Sequence, residues 1–468
     1  MRWALAPIGW FAYNTQPQEW NLGMPHQDIN DVRTNHNMLK GVLDIVIESA
    51  QDCARHGNAT MDAATLASIA LVCWGWTNEG TITERVDDAV ATVNELYGLS
   101  ATMSRQGVMN ALVSCGNDLR DLVVHSFEEQ VRQLRGCWRQ AGRVNFAVDG
   151  TKFAVPRTEA NQASLAARPT SKPTRKYRSE ADASKSKTCQ LLVTTIWHIG
   201  SGLPYRWTVE GSSGSERVSL AKILDELPGN ARMIGDAEYV GYPLWSKMIT
   251  AKVPFVVRVG SNVHLLKNLG ELKFSDGYVY FWPEKAMRRN DAPIILKLTK
   301  LRKGKETIYL VTNELELSDH EIVNLYQQRW GIEVFFRSVK QSCGRAKLCC
   351  KTPDNAMVEV NWTLLGIWAA LFTGSQVLKE DKVPIHRLSP IKVIRAFRRV
   401  VVAIKFRAQD APQLREEIAN ATKIDESDRV TSKSSRNYPA KKKLRRSGPP
   451  IIAKPTKEQK KRAKIHLE

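Results

Sequence analysis

The sequence lacks the patterns that mark several common protein classes. Its eight cysteines show neither CxxC nor cysteine–histidine metal spacing, so we expect reduced thiols in a cytosolic protein. No internal repeat and no glycine-rich phosphate-binding loop is present, so ATP dependence is not indicated. The apolar run at residues 362–372 is too short to span a membrane and predicts a buried helix instead.

Acidic residues are also in short supply. The 468 residues include 68 Lys and Arg against 48 Asp and Glu, a formal net charge of +20 that favours a nucleic-acid partner. Residues 168–187 predict a long basic loop that is mobile without DNA and contacts phosphates when DNA is bound. Residues 433–464 predict a basic disordered tail, which is either a solubilising end or a non-specific DNA arm.

Two aspartates end short apolar runs. Asp149 follows the run that begins at Val144, and Asp236 follows the run that begins at Ala231, so each predicts a buried strand with an acid at its end. Asp is depleted in strands and costly to bury unpaired, and a divalent cation between the two would explain both. For either residue alone, a turn residue or a helix N-cap is the commoner interpretation.

A third acid lies in a predicted helix with three other functional side chains. The four residues are Tyr326, Arg329, Glu333 and Lys340. At about 100° per residue, offsets of 0, 3, 7 and 14 put them within roughly 60° of arc on one helix. A phenol, a guanidinium, a carboxylate and an ammonium on one stripe suit a metal ion beside a phosphate backbone. The alternative is a solvated face with an Arg329–Glu333 ion pair.

The runs around these acids predict an α/β protein. Beyond Asp149 come strand patterns at 190–197 and 205–209, a helix at 216–227, the Asp236 strand, a helix at 244–249 and a strand at 255–259. Three strands, a helix, and then alternating strands and helices predict layers around a sheet of mixed direction. The ribonuclease H-like fold has this order, with acids on the first strand, after the fourth strand and on a later helix.

Together these motifs resemble the signature of DDE transposases of the insertion sequence four family. The matching residues are Asp149-Gly150-Thr151, Asp236 and the spacing Tyr326-x2-Arg329-x3-Glu333-x6-Lys340. The resemblance spans about residues 60–400 and is clearest at 144–345. It implies a catalytic, metal-binding triad of Asp149, Asp236 and Glu333 that uses Mg²⁺ or Mn²⁺, with two ions per active site.

The resemblance also implies partners and a function. Tyr326, Arg329 and Lys340 would contact phosphates of the transposon end, and Thr151 is a further DNA-binding candidate. The expected function is a DNA transposase of a bacterial insertion sequence, which binds the terminal inverted repeats and performs cut-and-paste transposition. Double-stranded DNA is the expected partner, with a homodimer in the synaptic complex. The expected location is cytoplasmic and nucleoid-associated.

Two places depart from the family pattern or are weakly assigned. Family members commonly follow the second aspartate with Arg-Gly and an aromatic, whereas this chain has Ala237-Glu238-Tyr239, which makes Glu238 a rival carboxylate. The family often carries a β-rich insertion before the glutamate, and Trp282 within it is a candidate for stacking on a flipped base. A tryptophan in a β hairpin is more often a packing residue.

The predicted domains follow from these assignments. They are a helical DNA-binding domain at 1–140, a ribonuclease H-like first part at 141–257, a β-rich insertion at 258–312, a second catalytic part with C-terminal helices at 313–410, and a basic, largely disordered tail at 411–468. Ser104 is expected to cap a helix that either reads DNA bases or only packs. Two other functions remain open: a nuclease without strand transfer, and a DNA-binding protein with a decayed site.

Overall fold

The computed structural model of this protein describes residues 29–51, 53, 61–77, 80–134, 136–140, 142–166, 189–303, 306–406, 413–422 and 448–467. The basic loop predicted at 168–187 and the tail residues 433–447 lie outside this described part. The described chain is a mixed α/β protein in which helices pack with one ten-stranded sheet. The predicted α/β class with a mixed sheet is confirmed.

Five α-helices precede the first strand in the described part of the chain. They are α1 (Ile29–Ala50), α2 (Ala63–Leu71), α3 (Ile82–Tyr97), α4 (Arg105–Ser114) and α5 (Asp118–Arg132). Their starts obey local capping rules. Thr81 and Glu84 form a capping box at α3, and Ser104 accepts a hydrogen bond from the Gly107 N–H at 3.1 Å. The N-cap predicted at Ser104 is therefore confirmed.

Strands β1 to β5 form the part of the sheet that carries the two aspartates. They are β1 (Val144–Ala154), β2 (Gln190–His198), β3 (Leu203–Gly211), β4 (Ala231–Gly235) and β5 (Phe255–Val259). Their spatial order is β5-β4-β1-β2-β3. β1, β4 and β5 run parallel, whereas β2 is antiparallel to both β1 and β3. The short helices between them are α6 (Glu159–Leu165), α7 (Glu216–Ile223) and α8 (Tyr242–Thr250).

The predicted β-rich insertion continues the same sheet. Its elements are β6 (His264–Leu266), β7 (Tyr278–Phe281), α9 (Glu284–Arg288), β8 (Ile294–Lys303) and β9 (Glu306–Thr312). β9 pairs antiparallel with β5, and the order β6-β7-β8-β9 extends the sheet outward from there. The insertion thus adds strands at one edge of the catalytic sheet.

Part of the predicted disordered tail is folded. β10 (Ile451–Ala453) pairs parallel with β6, and α15 (Lys457–Leu467) follows it. Ala463 is fully buried in the core of the insertion, and Leu467 packs against that core. Residues 413–422 of the predicted tail are also folded, with the helix Leu414–Ala419 and a buried Leu414. For residues 413–422 and 448–467 the prediction of disorder is therefore wrong. A few apolar side chains and an open strand edge are enough to order the strongly basic segment 448–467.

The remaining helices follow the insertion. They are α10 (Asp319–Gln328), α11 (Trp330–Arg337), α12 (Pro353–Glu380), α13 (Pro390–Lys405) and α14 (Leu414–Ala419). By length and composition α12 could cross a membrane, but 89% of its apolar window is buried inside the protein. It shares one hydrophobic core with α1 to α5 and with the inner face of α11. The buried helix predicted at residues 362–372 is confirmed as part of α12.

α12 approaches its neighbour through glycine. The π-helix Val72–Trp76 continues α2, and a Cβ added to Gly75 would lie 2.5 Å from the Gly366 Cα. Trp76 Nε1 donates a hydrogen bond to the Gly366 carbonyl at 2.8 Å. The two backbones can meet only because neither glycine carries a side chain, and this contact fastens the N-terminal helices to α12.

An ion pair joins the N-terminal helices to the sheet. Arg206 on β3 donates to both carboxylate oxygens of Glu128 on α5, at 2.7 and 2.9 Å. Glu128 is 2% exposed, so its carboxylate is shielded from water, whereas the Arg206 side chain is 22% exposed. A buried carboxylate needs such a bidentate partner to offset its desolvation.

Candidate active site

Asp149 lies in the middle of β1, and Asp236 directly follows β4, the parallel strand beside it. The predicted strand end is therefore correct for Asp236 and wrong for Asp149, because β1 continues to Ala154 in its pairing with β2. β1 and β4 pair from Val144↔Ala231 to Ala147↔Ile234. Asp236 directly follows β4 and keeps an extended backbone, so the same register sets it level with Asp149. Adjacent strands lie about 4.8 Å apart, so the two aspartates are neighbours just beyond the point where the pairing of β1 with β4 ends.

The turn after β4 is shaped by Asp236 itself. Its Oδ1 accepts a hydrogen bond from the Glu238 N–H at 2.9 Å, so it caps the short 3-10 helix Ala237–Tyr239. Gly235 leaves room for Tyr239, because a Cβ there would lie 3.1 Å from the Tyr239 ring. The cap interpretation is thus correct for Asp236, and it leaves one carboxylate oxygen for other partners. The rival Glu238 points to solvent as an exposed residue.

Glu333 does not share one regular helix with its three partner residues. α10 ends before Arg329, α11 begins after it, and Ser338–Ser342 form a π-helix. Between α10 and α11 the Arg329 N–H donates to the Tyr326 carbonyl at 3.2 Å. This bond spans three residues, as in a 3-10 helix, instead of the four of an α-helix. The predicted single-helix stripe is therefore wrong, since each change of pitch alters the angle between residues.

Arg329 joins the acid of α11 to the acid of β1. Its guanidinium contacts Glu333 directly, and its Nη1 lies 3.8 Å from Asp149 Oδ2. The residue is only 7% exposed, and its Nε has no hydrogen-bond partner in the described part of the chain. The three predicted acids thus meet through two links: the strand register for Asp149 and Asp236, and Arg329 for Asp149 and Glu333.

Burial disfavours the ionised form of the Asp149 carboxyl group. Desolvation raises the pKa of its carboxyl from 3.8 to about 7; Arg329 opposes this shift, and the charges of Asp236 and Glu216 add to it. Desolvation also lowers the pKa of Lys340, which Asp149 partly restores. A carboxylate with too many anionic neighbours favours a cation beside it, and perturbed groups of this kind are typical of functional sites.

Sequence reasoning missed Glu216, the first residue of α7. Its Oε2 accepts a hydrogen bond from the Tyr239 hydroxyl at 3.0 Å, and its carboxyl group lies against Gly150. Burial raises the pKa of Glu216; the Tyr239 hydrogen bond lowers it, and the charge of Asp236 raises it. An acid at the start of a helix is so common that only the fold distinguishes this one.

The other predicted phosphate-contacting residues lie around the acids. Tyr326 is 8% exposed, and the Arg329 guanidinium carbon lies 5.5 Å from its ring centre. Lys340 is half-buried, with its Nζ 5.3 Å from the Phe153 ring centre. Thr151 lies on β1, half-buried, two residues beyond Asp149. Their contacts with DNA stay predictions.

Trp282 is not placed for base stacking. It is 4% exposed, its Nε1 donates to the Asp291 carbonyl at 2.7 Å, and its ring packs in the core of the insertion with His466 of α15 at 6.4 Å. The packing interpretation is the one that these contacts support. The sequence could not reveal this, because α15 belongs to the segment predicted as disordered.

The donor chemistry of the site fits a divalent cation. In the described residues, no group of three or more His, Cys, Asp or Glu side chains is arranged to hold a metal ion as it stands. Asp149 and Asp236 interact electrostatically, Arg329 links Asp149 to Glu333, and carboxylate oxygens are the ligands that Mg²⁺ and Mn²⁺ prefer. Gly150, which has no side chain, leaves a space beside the strand that the Glu216 carboxylate occupies. All eight cysteines are free in the structure.

Comparison with known proteins points to the same region. Residues 140–368 match the family model described as "Transposase DDE domain". This region holds Asp149, Asp236 and Glu333 and ends within α12. Over this region the chain is therefore similar to the DDE domain of transposases.

Two further similarities are more limited. A stretch of 123 residues is 32% identical to "Putative transposase y4zB" of Sinorhizobium fredii (strain NBRC 101917 / NGR234), covering 25% of this chain and 35% of that protein. The chain thus matches about a third of that relative's length. The cryo-EM structure of a piggyBac transposase synaptic complex with hairpin DNA aligns with 85% of this chain and 86% of that one, at 11% identity and a TM-score of 0.38. That likeness is too low to bear on fold or function.

Proposed function

We propose that this protein is a DNA transposase of a bacterial insertion sequence, of the insertion sequence four type, with Asp149, Asp236 and Glu333 as its catalytic triad. The observation that carries the proposal is the meeting of three acids separated by nearly two hundred residues. The register of β1 with β4 aligns the two aspartates, and Arg329 joins Asp149 to Glu333. The match of residues 140–368 to the transposase DDE domain supports it independently.

The strand arrangement supports a ribonuclease H-like catalytic unit. Three sequential strands, β1 to β3, are antiparallel neighbours, and β4 and β5 then add in parallel on the other side of β1. The acids lie on the first strand, directly after the fourth and on a later helix. This is the order that the resemblance to the insertion sequence four family implies.

The chemistry would depend on a divalent cation, Mg²⁺ or Mn²⁺. Bound between the carboxylates as one or two ions, it would activate a hydroxyl nucleophile and offset the charge that builds on the attacked phosphate. Asp149, Asp236 and Glu333 would hold it. Asp149 must lose its proton first, since burial keeps its pKa near 7.

The cationic residues of the site would hold the DNA strand. Arg329 has a buried Nε without a described partner, so it retains a donor for a phosphate oxygen. Lys340 would supply a second positive charge, with Tyr326 and Thr151 nearby. The same carboxylates could serve hydrolytic cleavage and then strand transfer, because only the nucleophile changes from water to a DNA 3′-hydroxyl.

The remaining parts of the proposal concern recognition and assembly. The N-terminal helices would bind the terminal inverted repeats, and the basic C-terminal segment would contact DNA without sequence preference. The protein would act as a homodimer in the synaptic complex, in the cytoplasm at the nucleoid. Cut-and-paste transposition is the pathway that these parts would serve together.

A cleavage assay tests this proposal. The chain is incubated with Mg²⁺ and the DNA ends that flank its own coding region, and nicked, hairpin and joined products are separated on a denaturing gel. The proposal predicts metal-dependent cleavage followed by joining. Asp149→Asn should keep end binding and lose both products, because the amide cannot replace the carboxylate charge. Asp276→Asn, the same change at an exposed residue of the insertion, serves as the control.

The possible results separate the competing functions. Cleavage without joined product would favour a nuclease, and DNA binding without any cleavage would favour a protein with a decayed site. Normal cleavage by Asp149→Asn would show that the triad is misassigned.

A further inference from the structure

Glu216 reaches the acid cluster through a space that exists because residue 150 is glycine. A Cβ on Gly150 would lie 2.1 Å from the Glu216 carboxyl carbon and 2.3 and 2.5 Å from its two oxygens. Any side chain at residue 150 would therefore push this carboxylate away. The glycine beside Asp149 thus has a steric reason to be there, and that reason is the Glu216 side chain.

The carboxylate is also held from the other strand. Tyr239 is fully buried in the turn that Asp236 begins, and its hydroxyl donates to Glu216 Oε2 at 3.0 Å. Glu216 Oε1 accepts no hydrogen bond from a described residue. Glu216 therefore bridges the middle of β1 and the turn after β4, with one carboxylate oxygen bound to Tyr239 and the other without a described hydrogen bond.

Charge is distributed unevenly across the site. On the helix side, Arg329 contacts Glu333 and lies near Asp149. On the strand side, Glu216 faces the negative charges of Asp236 and Glu238, and the neighbouring cation is the exposed Lys152. The carboxylates of residues 149, 216 and 236 thus act on one another electrostatically, and the buried positive charge of Arg329 lies on the Asp149 side of this group.

A second observation indicates a missing ligand at the same place. Arg329 is 7% exposed, and its Nε has no hydrogen-bond partner in the described chain. A buried guanidinium N–H without a partner is costly, and an anionic group bound beside the acids would satisfy it. A phosphate can approach four carboxylates only if a cation lies between them.

We propose that Glu216 is a fourth carboxylate ligand of this site, binding a divalent cation together with Asp149 and Asp236. The inference rests on the proposed function and adds to it a residue outside the predicted triad. Tyr239 is a positioning residue, since it reaches the cation only through Glu216. Gly150 is required because it admits the Glu216 carboxylate.

Mn²⁺ binding to the full chain without DNA tests the inference by a readout that does not depend on activity. Isothermal titration is performed on wild type, Glu216→Gln, Glu238→Gln and Asp149→Asn, after circular dichroism and thermal melts confirm that each variant is folded. Glu216→Gln keeps the shape of the side chain and an oxygen for the Tyr239 hydroxyl. It should weaken Mn²⁺ binding by about 10- to 100-fold. Glu238→Gln removes a nearby exposed charge and should weaken it by less than about threefold.

Gly150→Ala separates ligand position from net charge. It leaves every carboxylate in the chain, but its Cβ would expel Glu216, so it should lose Mn²⁺ affinity to the same extent as Glu216→Gln. Equal effects of Glu216→Gln and Glu238→Gln would overturn the inference, because both would then act through charge alone. Asp149→Asn separates the proposed metal site from the added role of Glu216. If Asp149→Asn loses Mn²⁺ binding and Glu216→Gln keeps it, only the role of Glu216 is overturned. Unchanged binding in Asp149→Asn overturns the proposed site as well.

Discussion

Asp149 offers a test of the site that needs neither DNA nor a metal ion. Burial raises the pKa of its carboxyl from 3.8 to about 7, although Arg329 opposes the shift. The folded protein therefore keeps a proton over a pH range in which the unfolded chain has lost it. We predict that Asp149→Asn stabilises the metal-free protein increasingly as the pH rises from about 5 to above neutral, because the neutral amide mimics the protonated acid.

The magnitude follows from linkage. Because the folded-state pKa lies above the unfolded value, the stability contributed by protonated Asp149 is complete below about pH 3.8 and is lost as the pH rises through about 7. From about pH 5 to pH 8.5 roughly two units of that range remain, worth about 3 kcal/mol at about 1.4 kcal/mol per unit. The Asp149 side chain is 20% exposed, and solvent screening reduces the expected figure to about 2 kcal/mol.

Urea denaturation in the presence of EDTA provides the measurement. The free energy of unfolding of Asp149→Asn, relative to wild type, should rise by about 2 kcal/mol between about pH 5 and pH 8.5. Asp276→Asn, at an exposed position, should show no such trend. A difference between Asp149→Asn and wild type that stays constant over this pH range would refute the buried, repelled carboxylate on which the site depends.

Three further predictions concern the framework that positions the site. Gly366→Ala should lower the free energy of unfolding by about 1–3 kcal/mol, because its Cβ would lie 2.6 Å from the Gly75 backbone. Gly229→Ala is the control, since a Cβ there meets nothing within 4 Å. Equal denaturation midpoints for the two variants would contradict the close approach. Arg206→Ala should cost about 3 kcal/mol or more by leaving Glu128 buried and unpaired, and a loss below about 1 kcal/mol in urea melts would argue against that pair. Deleting residues 448–467 should lower the melting temperature and speed proteolysis of the insertion, because it removes the edge strand β10 and the helix α15 that packs on the core. An unchanged melting temperature would show that this segment does not stabilise the sheet.

The sequence predicted the two strands that carry the aspartates because strong local patterns specify them, although only Asp236 lies at a strand end and β1 continues past Asp149 to Ala154. The runs leading to Asp149 and Asp236 are apolar, end in an acid and become β1 and β4. Burial on both faces of a central strand imposes such a composition, so the pattern carries over to the structure. The capping box at α3 and the N-cap at Ser104 are likewise local features that a sequence displays directly.

The features that were missed depend on long-range contacts. Glu216 is one acid among many until the fold sets its carboxylate against Gly150, and that contact leaves no periodic signal. The change of pitch at Arg329 cannot be seen in the sequence, because the residues around it have an ordinary helix composition. Arg329 itself keeps helical backbone angles. The strand β10 is only three residues long, and its partner β6 lies nearly two hundred residues away in the sequence. Trp282 is buried partly by that same segment.

The central claim is that Asp149, Asp236 and Glu333 bind one divalent-cation site beside DNA. Anomalous diffraction from crystals of the chain with Mn²⁺ and its own DNA end tests it most directly. The account predicts an anomalous peak within bonding distance of the Asp149 and Asp236 carboxylates, next to a DNA phosphate, with Glu333 drawn to the same site. Bound DNA with the Mn²⁺ peak elsewhere, or with the three carboxylates apart and no peak between them, would contradict it.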